Sequence, residues 1–370
     1  MKRILTVVIV VLIIFCGCTA TSQSSDVKEI VEESMTTNHA AWPTEEWSTS
    51  TPEEQEMDSN LLIKSEKKIE DNYPNICSVL VVRNGFLVYE KYYNNTQSDE
   101  YKPVYSITKS VMSSLIGIAI KEKYIDSVDN KIADYLPEYF AQFDDSRKEM
   151  TIENVLTMTG GLEPIDSYYR GYFSSEDWTD YALSKPMQDE PGKSFAYNTG
   201  LTHLLSGIIT KRSDMSTLEF ANQYLFKPIG INVKKWDRSP EGFYGGGASL
   251  YLTPQDMARF GYLYLNNGKW GGIEIISKEW VEKSTTKQVL SDKGQGYGYL
   301  FWMYDNNAIV DDKTYYTYAA VGAEGQYIVV VPDLNLVAVI TANENTRSKD
   351  GSDTADIIWD YVIPSVIDSE

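Results

Sequence analysis

Apolar and polar positions along the chain predict strands at both ends of the sequence. Two apolar runs, Ile76–Val82 and Phe86–Tyr93, flank Arg83-Asn84-Gly85, and an Asn-Gly pair between two such runs predicts a β-hairpin with a tight turn. Strand patterns return towards the C-terminus at Tyr297–Tyr304, Tyr315–Ala320, Gln326–Val331 and Leu336–Thr341. The first and last parts of the chain are therefore expected to supply the strands of a sheet.

Between these strands the apolar positions follow the period of an α-helix. Each predicted helix is bounded by Gly, Pro, Asp or Ser. The predicted helices are Asp58–Asn72, Asn130–Tyr135, Ile152–Met158, Trp178–Ser184, Thr202–Lys211, Thr217–Tyr224, Pro254–Asn266 and Thr354–Ile363. Strands at both ends with helices between them indicate an α+β fold, in which both chain ends build one antiparallel sheet.

This order of elements divides the domain, residues 58–365, into two lobes. An α/β lobe is expected from residues 58–125 and 248–365, with a mainly helical lobe, 126–247, inserted into it. The run Gly245-Gly246-Gly247 precedes a strand-like segment, and we interpret it as a flexible crossing between the lobes.

One helical stretch, Val104–Ile120, carries the most informative residues. From Val111 to Ile120 nearly every side chain is apolar or small, as is typical of a helix buried on all sides. Ser106 and Lys109 lie on one face of its first turn. Burial and the positive end of the helix dipole both disfavour an ammonium group there, so the pKa of Lys109 is expected to fall. A serine one turn from a neutral amine is an activated nucleophile.

The spacing S-x-x-K is not specific by itself. It recurs in polar, charged segments, where we expect solvated pairs: Ser25/Lys28, Ser65/Lys68 and Ser284/Lys287. The Ser106 copy alone opens a buried helix, and this context favours a catalytic role for it.

The N-terminus has the pattern of a targeting segment. Met1-Lys2-Arg3 is followed by an apolar run, Ile4–Phe15, and then by Cys16-Gly17-Cys18 before a polar stretch. This resembles a bacterial lipoprotein signal, residues 1–18, with Cys18 as the lipidated residue and residues 19–57 as an acidic polar tether. The expected location is the outer face of the cytoplasmic membrane, held only by the lipid anchor. An uncleaved anchor helix or an ordinary secretory signal, which would release a secreted protein, is the alternative.

Charge and residue inventory exclude several classes of function. The 370 residues carry a formal net charge of −20 with no basic patch, which disfavours nucleic-acid binding. There are two histidines, His39 in the tether and His203 on a predicted helix, where a core histidine is the ordinary case. Neither histidine is therefore a good candidate for the base of a Ser-His-Asp triad.

No metal-binding, phosphate-binding or dinucleotide motif is present, so no cofactor is predicted. The substrate is expected to be a small molecule or short peptide.

A serine hydrolase that uses lysine and tyrosine in place of histidine fits this inventory. The tyrosine candidate is Tyr197, at the end of the loop segment Pro191–Tyr197 and directly before a helix. With 27 tyrosines in the chain, any one of them is structural by default, and its position in this loop is what distinguishes Tyr197.

Several ordered motifs together carry a resemblance to a known family. They are S-I-T-K at Ser106, V-L-T-M-T-G-G-L at Val155–Leu162, P-G-x-x-F-x-Y at Pro191–Tyr197, L-F-K-P-I-G-I, T-P-Q-D-M-A-R-F-G-Y-L near Thr253, and G-A-E-G-Q-Y-I-V-V-V-P-D at Gly322–Asp333. The sequence resembles the class C beta-lactamase-like serine hydrolases of the beta-lactamase and penicillin-binding-protein superfamily, which include esterases and 6-aminohexanoate-dimer hydrolases. The resemblance implies a beta-lactamase/transpeptidase-like fold.

The same resemblance implies roles for individual residues. Ser106 would be the acylated nucleophile, Lys109 its base and Tyr197 the residue that passes the proton to the leaving group. The backbone N–H groups of Ser106 and Ala323, the latter on the edge strand, would form the oxyanion hole next to Gly322. Where the family has Tyr-x-Asn this chain has Tyr197-Asn198-Thr199, so either Asn198 or Thr199 would contact Lys109. The resemblance implies that both residues, with Gly322, lie in the substrate-binding site.

The resemblance also bears on the substrate. The family's third motif, Lys or His followed by Thr-Gly, reads Ala320-Val321-Gly322, so the cation that binds a beta-lactam carboxylate is absent unless Arg347 replaces it. An ester or amide substrate is therefore favoured, with Tyr168 and Tyr169 of a long loop expected to line the cleft. The alternatives are a D,D-peptidase or weak beta-lactamase, and a non-catalytic extracellular binding lipoprotein. Oligomeric state stays open.

Overall fold

An antiparallel sheet built from both ends of the chain is the central element of the fold. The structure is a computed structural model that describes residues 41–304, 306–343, 348–349 and 351–367. Its strands are β1 (Ile76–Arg83), β2 (Phe86–Tyr92), β3 (Lys102–Pro103), β4 (Lys235–Trp236), β5 (Leu250–Leu252), β6 (Lys269–Trp270), β7 (Ile273–Glu274), β8 (Val289–Leu290), β9 (Gly296–Tyr297), β10 (Trp302–Met303), β11 (Ala308–Val310), β12 (Lys313–Tyr315), β13 (Tyr318–Gly322), β14 (Gln326–Val331) and β15 (Leu336–Ala342).

Eight of these strands form the main sheet, in the order β2-β1-β15-β14-β13-β10-β9-β8. Strand β1 pairs with β15 from Ile76↔Ala342 to Arg83↔Leu336, which joins the two ends of the domain. The predicted β1–β2 hairpin is confirmed: Asn84 and Gly85 both have positive φ, 52° and 84°, as a primed turn requires. The predicted fold class is likewise confirmed.

Helices cover the sheet and form the inserted lobe. They are α1 (Ser59–Asn72), α2 (Ile107–Lys121), α3 (Ile132–Tyr135), α4 (Pro137–Phe140), α5 (Ile152–Leu156), α6 (Tyr169–Phe173), α7 (Trp178–Leu183), α8 (Thr199–Ser213), α9 (Thr217–Ala221), α10 (Pro254–Leu265) and α11 (Lys278–Thr285). Every segment predicted to be helical contains helical turns, although Thr354–Ile363 holds π and 3-10 turns rather than a regular α-helix. Helices α4, α6 and α11 were not predicted, since all three segments are short and carry few aliphatic residues.

Two strand predictions near the C-terminus are wrong in detail. Residues 297–304 are not one strand, because the chain reverses at Leu300, where φ is 64°, and Tyr297 of β9 pairs with Trp302 of β10. Residues 315–320 are likewise divided between β12 and β13. In both segments nearly all residues are buried, so the apolar pattern does not distinguish an extended strand from a tight reversal.

Both faces of the main sheet are buried, which explains why its central strands are apolar at almost every position. On one face Leu80 and Val339 pack in the cluster that contains α2 and α10. On the other face Val81 and Ile340 pack with α1 and the C-terminal turns. Helix α2 also contacts α8 of the helical lobe, so it lies between that lobe and the sheet.

The segment before α1 packs on the domain. Over residues 42–57 the contacts include hydrogen bonds from the Arg259 Nε to the carbonyl of Pro43 and from the Trp270 Nε1 to the Thr44 hydroxyl, both at 2.7 Å. Cys18, His39 and Arg347 lie outside the described residues. Within the described ranges, no helix is long and apolar enough to cross a membrane.

Candidate active site

The first turn of α2 places a serine and a lysine side by side. Strand β3 ends at Pro103, and the chain turns sharply at Tyr105, whose φ is 48°, into Ser106 at the N-terminal cap of α2. The Ser106 hydroxyl makes no capping hydrogen bond, so it is available to other partners. The Lys109 Nζ donates to it at 2.9 Å. The sequence-predicted pair is therefore in contact.

Lys109 is almost completely buried, with 1% of its surface exposed. Its Nζ donates two further hydrogen bonds, to the carbonyl of Gly247 at 2.6 Å and to the Thr199 hydroxyl at 3.0 Å. Burial lowers the pKa of Lys109 to about 7, although the charge of Asp166 acts to raise it. At neutral pH a substantial fraction of the side chain is therefore a neutral amine that can accept a proton.

Tyr197 also lies beside Ser106. Its ring centroid is 4.8 Å from the Lys109 Nζ, and Trp302 stacks on it at 5.9 Å with an interplanar angle of 22°. Burial raises the pKa of the phenol well above its usual range, while a hydrogen bond with the Ser106 side chain lowers it. The phenol is therefore protonated at neutral pH. It can pass a proton between neighbouring groups, but it is not a phenolate base in the resting enzyme.

The helix that follows Tyr197 explains the unusual order of Asn198 and Thr199. The Asn198 side chain is fully buried and caps α8 by accepting from the backbone N–H groups of Gly200 and Leu201. Thr199, one residue later, supplies the hydroxyl that contacts Lys109. Of the two residues left open by the sequence, Thr199 is therefore the neighbour of Lys109. The expectation that Asn198 binds substrate is wrong, because its side chain is used in the cap.

Asp166 is a member of the site that sequence reasoning missed. Its carboxylate accepts from the Thr199 N–H at 2.8 Å, from the Thr199 hydroxyl at 2.7 Å and from the Tyr169 phenol at 2.5 Å. Thr199 thus connects the Lys109 Nζ to a carboxylate. No motif marked Asp166, since an isolated acid in a loop has no sequence signature.

Gly247 was also missed, because the glycine run was interpreted as a flexible crossing. That interpretation is wrong: the run is closely packed. A Cβ on Gly247 would lie 2.3 Å from the Thr199 carbonyl oxygen, and one on Gly246 would lie 2.6 Å from the Thr202 carbonyl oxygen. Only glycine lets this backbone approach α8 closely enough for the Gly247 carbonyl to reach Lys109.

The strand beside the nucleophile is β13. Strand β14 pairs with it along its whole length, to Gly322↔Gln326, but its pairing with β10 covers only Tyr318 and Ala319. Among the described residues, the β10 side of its last part therefore has no strand partner, and Val321 and Gly322 line the cleft. The sequence resemblance placed Ala323 on an edge strand. That expectation is corrected, because β13 is not at the edge of the main sheet: β10, β9 and β8 follow it. Gly322 and Ala323 follow at the end of β13 and line a cavity together with Ser106.

The cleft around Ser106 has two halves. The first, which we call the tyrosine half, has a volume of about 340 Å³ and is lined by Ser106, Tyr169, Tyr197, Gln295, Trp302, Tyr304, Val321, Gly322 and Ala323. The second, the aromatic half, has a volume of about 320 Å³ and is lined by Pro103, Tyr105, Ser106, Tyr169, Phe173, Asp237, Ala248, Ser249, Tyr251 and Ala323. Ser106, Tyr169 and Ala323 belong to both and mark the boundary.

Comparison with known proteins identifies the family to which this chain belongs. The sequence profile of the beta-lactamase family matches residues 77–363, which is most of the chain. The chain belongs to the beta-lactamase family. The predicted resemblance is confirmed, and the chain is a serine hydrolase of the beta-lactamase/transpeptidase-like fold.

Relatives and structural neighbours agree with this assignment. The 6-aminohexanoate-dimer hydrolase of Paenarthrobacter ureafaciens is 23% identical over 237 residues, 58% of this chain and 59% of that protein. A Bacillus anthracis structure, provisionally named a 6-aminohexanoate-dimer hydrolase, superposes with a TM-score of 0.66 at 22% identity, over 80% of each chain. The structure of EstCE1, described as a hydrolase with promiscuous acyltransferase activity, has a TM-score of 0.66 at 15% identity and covers 81% of this chain and 96% of that one.

Two further sequence predictions concern tyrosines of this beta-lactamase-family cleft. Tyr169 lines both halves, as expected. Tyr168 does not line either half: its phenol donates to Glu163 at 3.1 Å, and the Lys185 Nζ lies 4.9 Å from its ring. Adjacent residues at the start of a short helix point in different directions, so only one of the two tyrosines reaches the cleft.

His203 is a buried structural histidine, as the sequence favoured. Its Nε2 lies 3.0 Å from a Glu241 carboxylate oxygen, and its Nδ1 accepts from the Gly246 N–H at 3.3 Å. Of the other S-x-x-K serines, Ser65 and Ser284 are structural, and both are fully buried, contrary to the expectation of solvated pairs; Ser25 lies outside the described residues. Each hydroxyl donates to a carbonyl of its own helix.

Proposed function

We propose that this enzyme hydrolyses an ester or amide bond through an acyl-enzyme on Ser106. The observation that carries the proposal is the convergence of an amine and a phenol on one hydroxyl. The Lys109 Nζ lies 2.9 Å from the Ser106 Oγ, and Tyr197 contacts the same serine from the tyrosine half of the cleft. An amide hydrolase among the relatives and a hydrolase with acyltransferase activity among the structural neighbours support acyl chemistry.

In the acylation step Lys109, in its neutral form, accepts the proton of the Ser106 hydroxyl while the oxygen attacks the substrate carbonyl carbon. The N–H groups of Ser106 and Ala323 stabilise the resulting oxyanion. Tyr197 then donates its proton to the leaving group as the bond to the carbonyl carbon breaks, and it regains a proton from Lys109. Water, activated by the same two groups, attacks the ester carbon of the acyl-enzyme, and the acid product leaves with Ser106 restored.

The walls of the cleft favour an ester or amide over a beta-lactam. Among the described residues that line its two halves there is no lysine or arginine that could bind a substrate carboxylate. Beta-lactams and the D-Ala-D-Ala ends of cell-wall peptides both carry such a carboxylate. Weak turnover of nitrocefin and of acyl-D-Ala-D-Ala peptides, relative to simple esters, is therefore expected.

A fluorophosphonate probe and a p-nitrophenyl ester test the proposal. The parent chain is expected to be labelled at Ser106 and to hydrolyse the ester, and Ser106→Ala to lose both properties. Ser65→Ala is a matched control, because Ser65 opens another S-x-x-K sequence but is fully buried, and its hydroxyl donates to the Leu62 carbonyl at 2.6 Å. Full labelling and turnover in Ser106→Ala would refute the assignment.

We also propose, from the sequence pattern of its N-terminus, that the chain is exported and lipidated at Cys18. Metabolic labelling with a radioactive fatty acid in a bacterial host tests this directly. Label is expected in the parent and absent in Cys18→Ser. Equal labelling of the two chains, or none in the parent, would contradict it.

A further inference from the structure

The position of the proton donor determines which half of the cleft holds which part of the substrate. This step rests on the proposed function. Tyr197 must lie beside the leaving-group atom to protonate it, so the leaving group occupies the tyrosine half. The carbonyl oxygen points towards the N–H groups of Ser106 and Ala323 at the boundary. The remaining substituent of the carbonyl carbon, the acyl group, is therefore directed into the aromatic half.

The aromatic half is apolar and preformed. Its walls include the rings of Tyr105, Tyr169, Phe173 and Tyr251, together with Pro103. Cavities of this size, lined mainly by apolar and aromatic residues, typically bind ligands through apolar contact.

Phe173 is held in place although it is 41% exposed. It packs edge-on against Tyr172 and Trp178, with ring centroids 5.0 Å away in each case, and it stacks on Tyr169 at 5.9 Å. A large apolar side chain fixed by its neighbours at the mouth of a cavity offers a ready surface for another aromatic or branched group.

The charges near this half offset one another. Asp237 is the charged residue among its described lining, and its carboxylate lies 3.6 Å from the Lys235 Nζ. The same ammonium lies 4.0 Å from the Tyr251 ring centroid. A net charge on the acyl group would therefore find no unpaired partner in the described wall and would lose its hydration.

We propose that the aromatic half is the acyl-binding site and that it selects neutral acyl groups bearing an aromatic ring. Phe173 is the residue that determines this specificity from the mouth, and Ala248, a small residue of the same lining, leaves room that a larger side chain would fill.

The test compares two esters that share one leaving group, p-nitrophenyl phenylacetate and p-nitrophenyl acetate, with the full-length chain. The measured quantity is the ratio of their kcat/KM values, each corrected for the rate with hydroxide. We expect a ratio of at least about 10 in favour of phenylacetate. Phe173→Ala is expected to lower the ratio about three- to tenfold, and Ala248→Phe to lower it by filling the site. Ile309→Ala, an exposed apolar residue of β11 outside the cleft, is the control and leaves the ratio unchanged.

The outcomes separate this inference from the proposed function. A ratio near 1 in the parent, or a ratio that neither Phe173→Ala nor Ala248→Phe changes, overturns the acyl-site assignment while Ser106-dependent turnover continues. Turnover of neither ester, with Ser106 unlabelled by fluorophosphonate, overturns the proposed function and the inference with it. Because the two variants act in opposite ways, one by removing a wall and one by filling the site, failure of either to fold leaves the other as a test.

Discussion

The Thr199 hydroxyl accepts a hydrogen bond from the Lys109 Nζ at 3.0 Å, and it donates one to the Asp166 carboxylate at 2.7 Å. A buried amine that gains a proton during acylation is therefore connected through one hydroxyl to a negative charge. Asp166 does not touch the reacting atoms in this arrangement. It is a positioning residue that holds Thr199 and adjusts the proton affinity of Lys109.

Asp166→Asn is expected to shift the pH profile. Lys109 acts as a base only when neutral, so kcat/KM should rise with pH through its pKa of about 7 and then level off. Burial lowers that pKa, the Asp166 charge raises it, and Tyr197 and Tyr169 beside the site are neutral in this range. Removing the carboxylate charge therefore lowers the pKa further, and the acid limb moves to lower pH.

The control for this profile is Asp134→Asn, which removes an exposed carboxylate from the first turn of α3. Its acid limb should coincide with that of the parent. A purely structural role for Asp166 would lower the rate at every pH without moving the limb, and that result would contradict the prediction.

Lys109→Arg separates the positive charge of the lysine from its ability to accept a proton. Arginine keeps the charge but stays protonated at every accessible pH. The variant should therefore lose about 10²- to 10⁴-fold in kcat/KM, the usual contribution of a general base. Ester hydrolysis checks this, with Lys67→Arg on the exposed face of α1 as the matched control. Activity within tenfold of the parent would show that Lys109 is not the base.

Tyr197→Phe should distinguish substrates by their leaving groups. An amide nitrogen must be protonated as it departs, whereas p-nitrophenolate leaves without a proton. The loss in kcat is therefore expected to be about 10²- to 10⁴-fold for an anilide and much smaller for the p-nitrophenyl ester with the same acyl group. Measuring both substrates on both proteins checks the role. Equal losses for the two would indicate that Tyr197 only shapes the cleft.

Gly247→Ala should reduce both stability and activity. The new Cβ would lie 2.3 Å from the Thr199 carbonyl oxygen and 2.6 Å from its Cγ2, so α8 and the glycine run must separate. Overpacking of this kind costs about 1–3 kcal/mol of unfolding free energy. Urea denaturation measures that cost, and the pH profile should show that Lys109 has also been disturbed. An unchanged denaturation midpoint would contradict the prediction, because it would show that the new Cβ is accommodated without loss of unfolding free energy.

Sequence alone predicted the hairpin, the buried helix that begins near Ser106 and the return of strands at the C-terminus, because each depends on local periodicity and turn residues. It also predicted that Ser106 and Lys109 face each other, since their spacing places them on one helical turn. The segment at residues 297–304 shows the limit of this reasoning. Every residue there is apolar or small enough to be buried, so nothing in the pattern marked the reversal at Leu300.

Contacts between distant segments were decided only by the tertiary structure. The choice between Asn198 and Thr199 depended on which residue caps α8, and the roles of Asp166 and Gly247 depended on how two loops approach that helix. Periodicity reports which face of a segment is buried, but not which partner it meets across 30 to 140 residues of sequence. The chain's own local chemistry therefore determined where the nucleophile and its lysine lie, whereas packing of separate segments determined what surrounds the lysine and how its proton affinity is set.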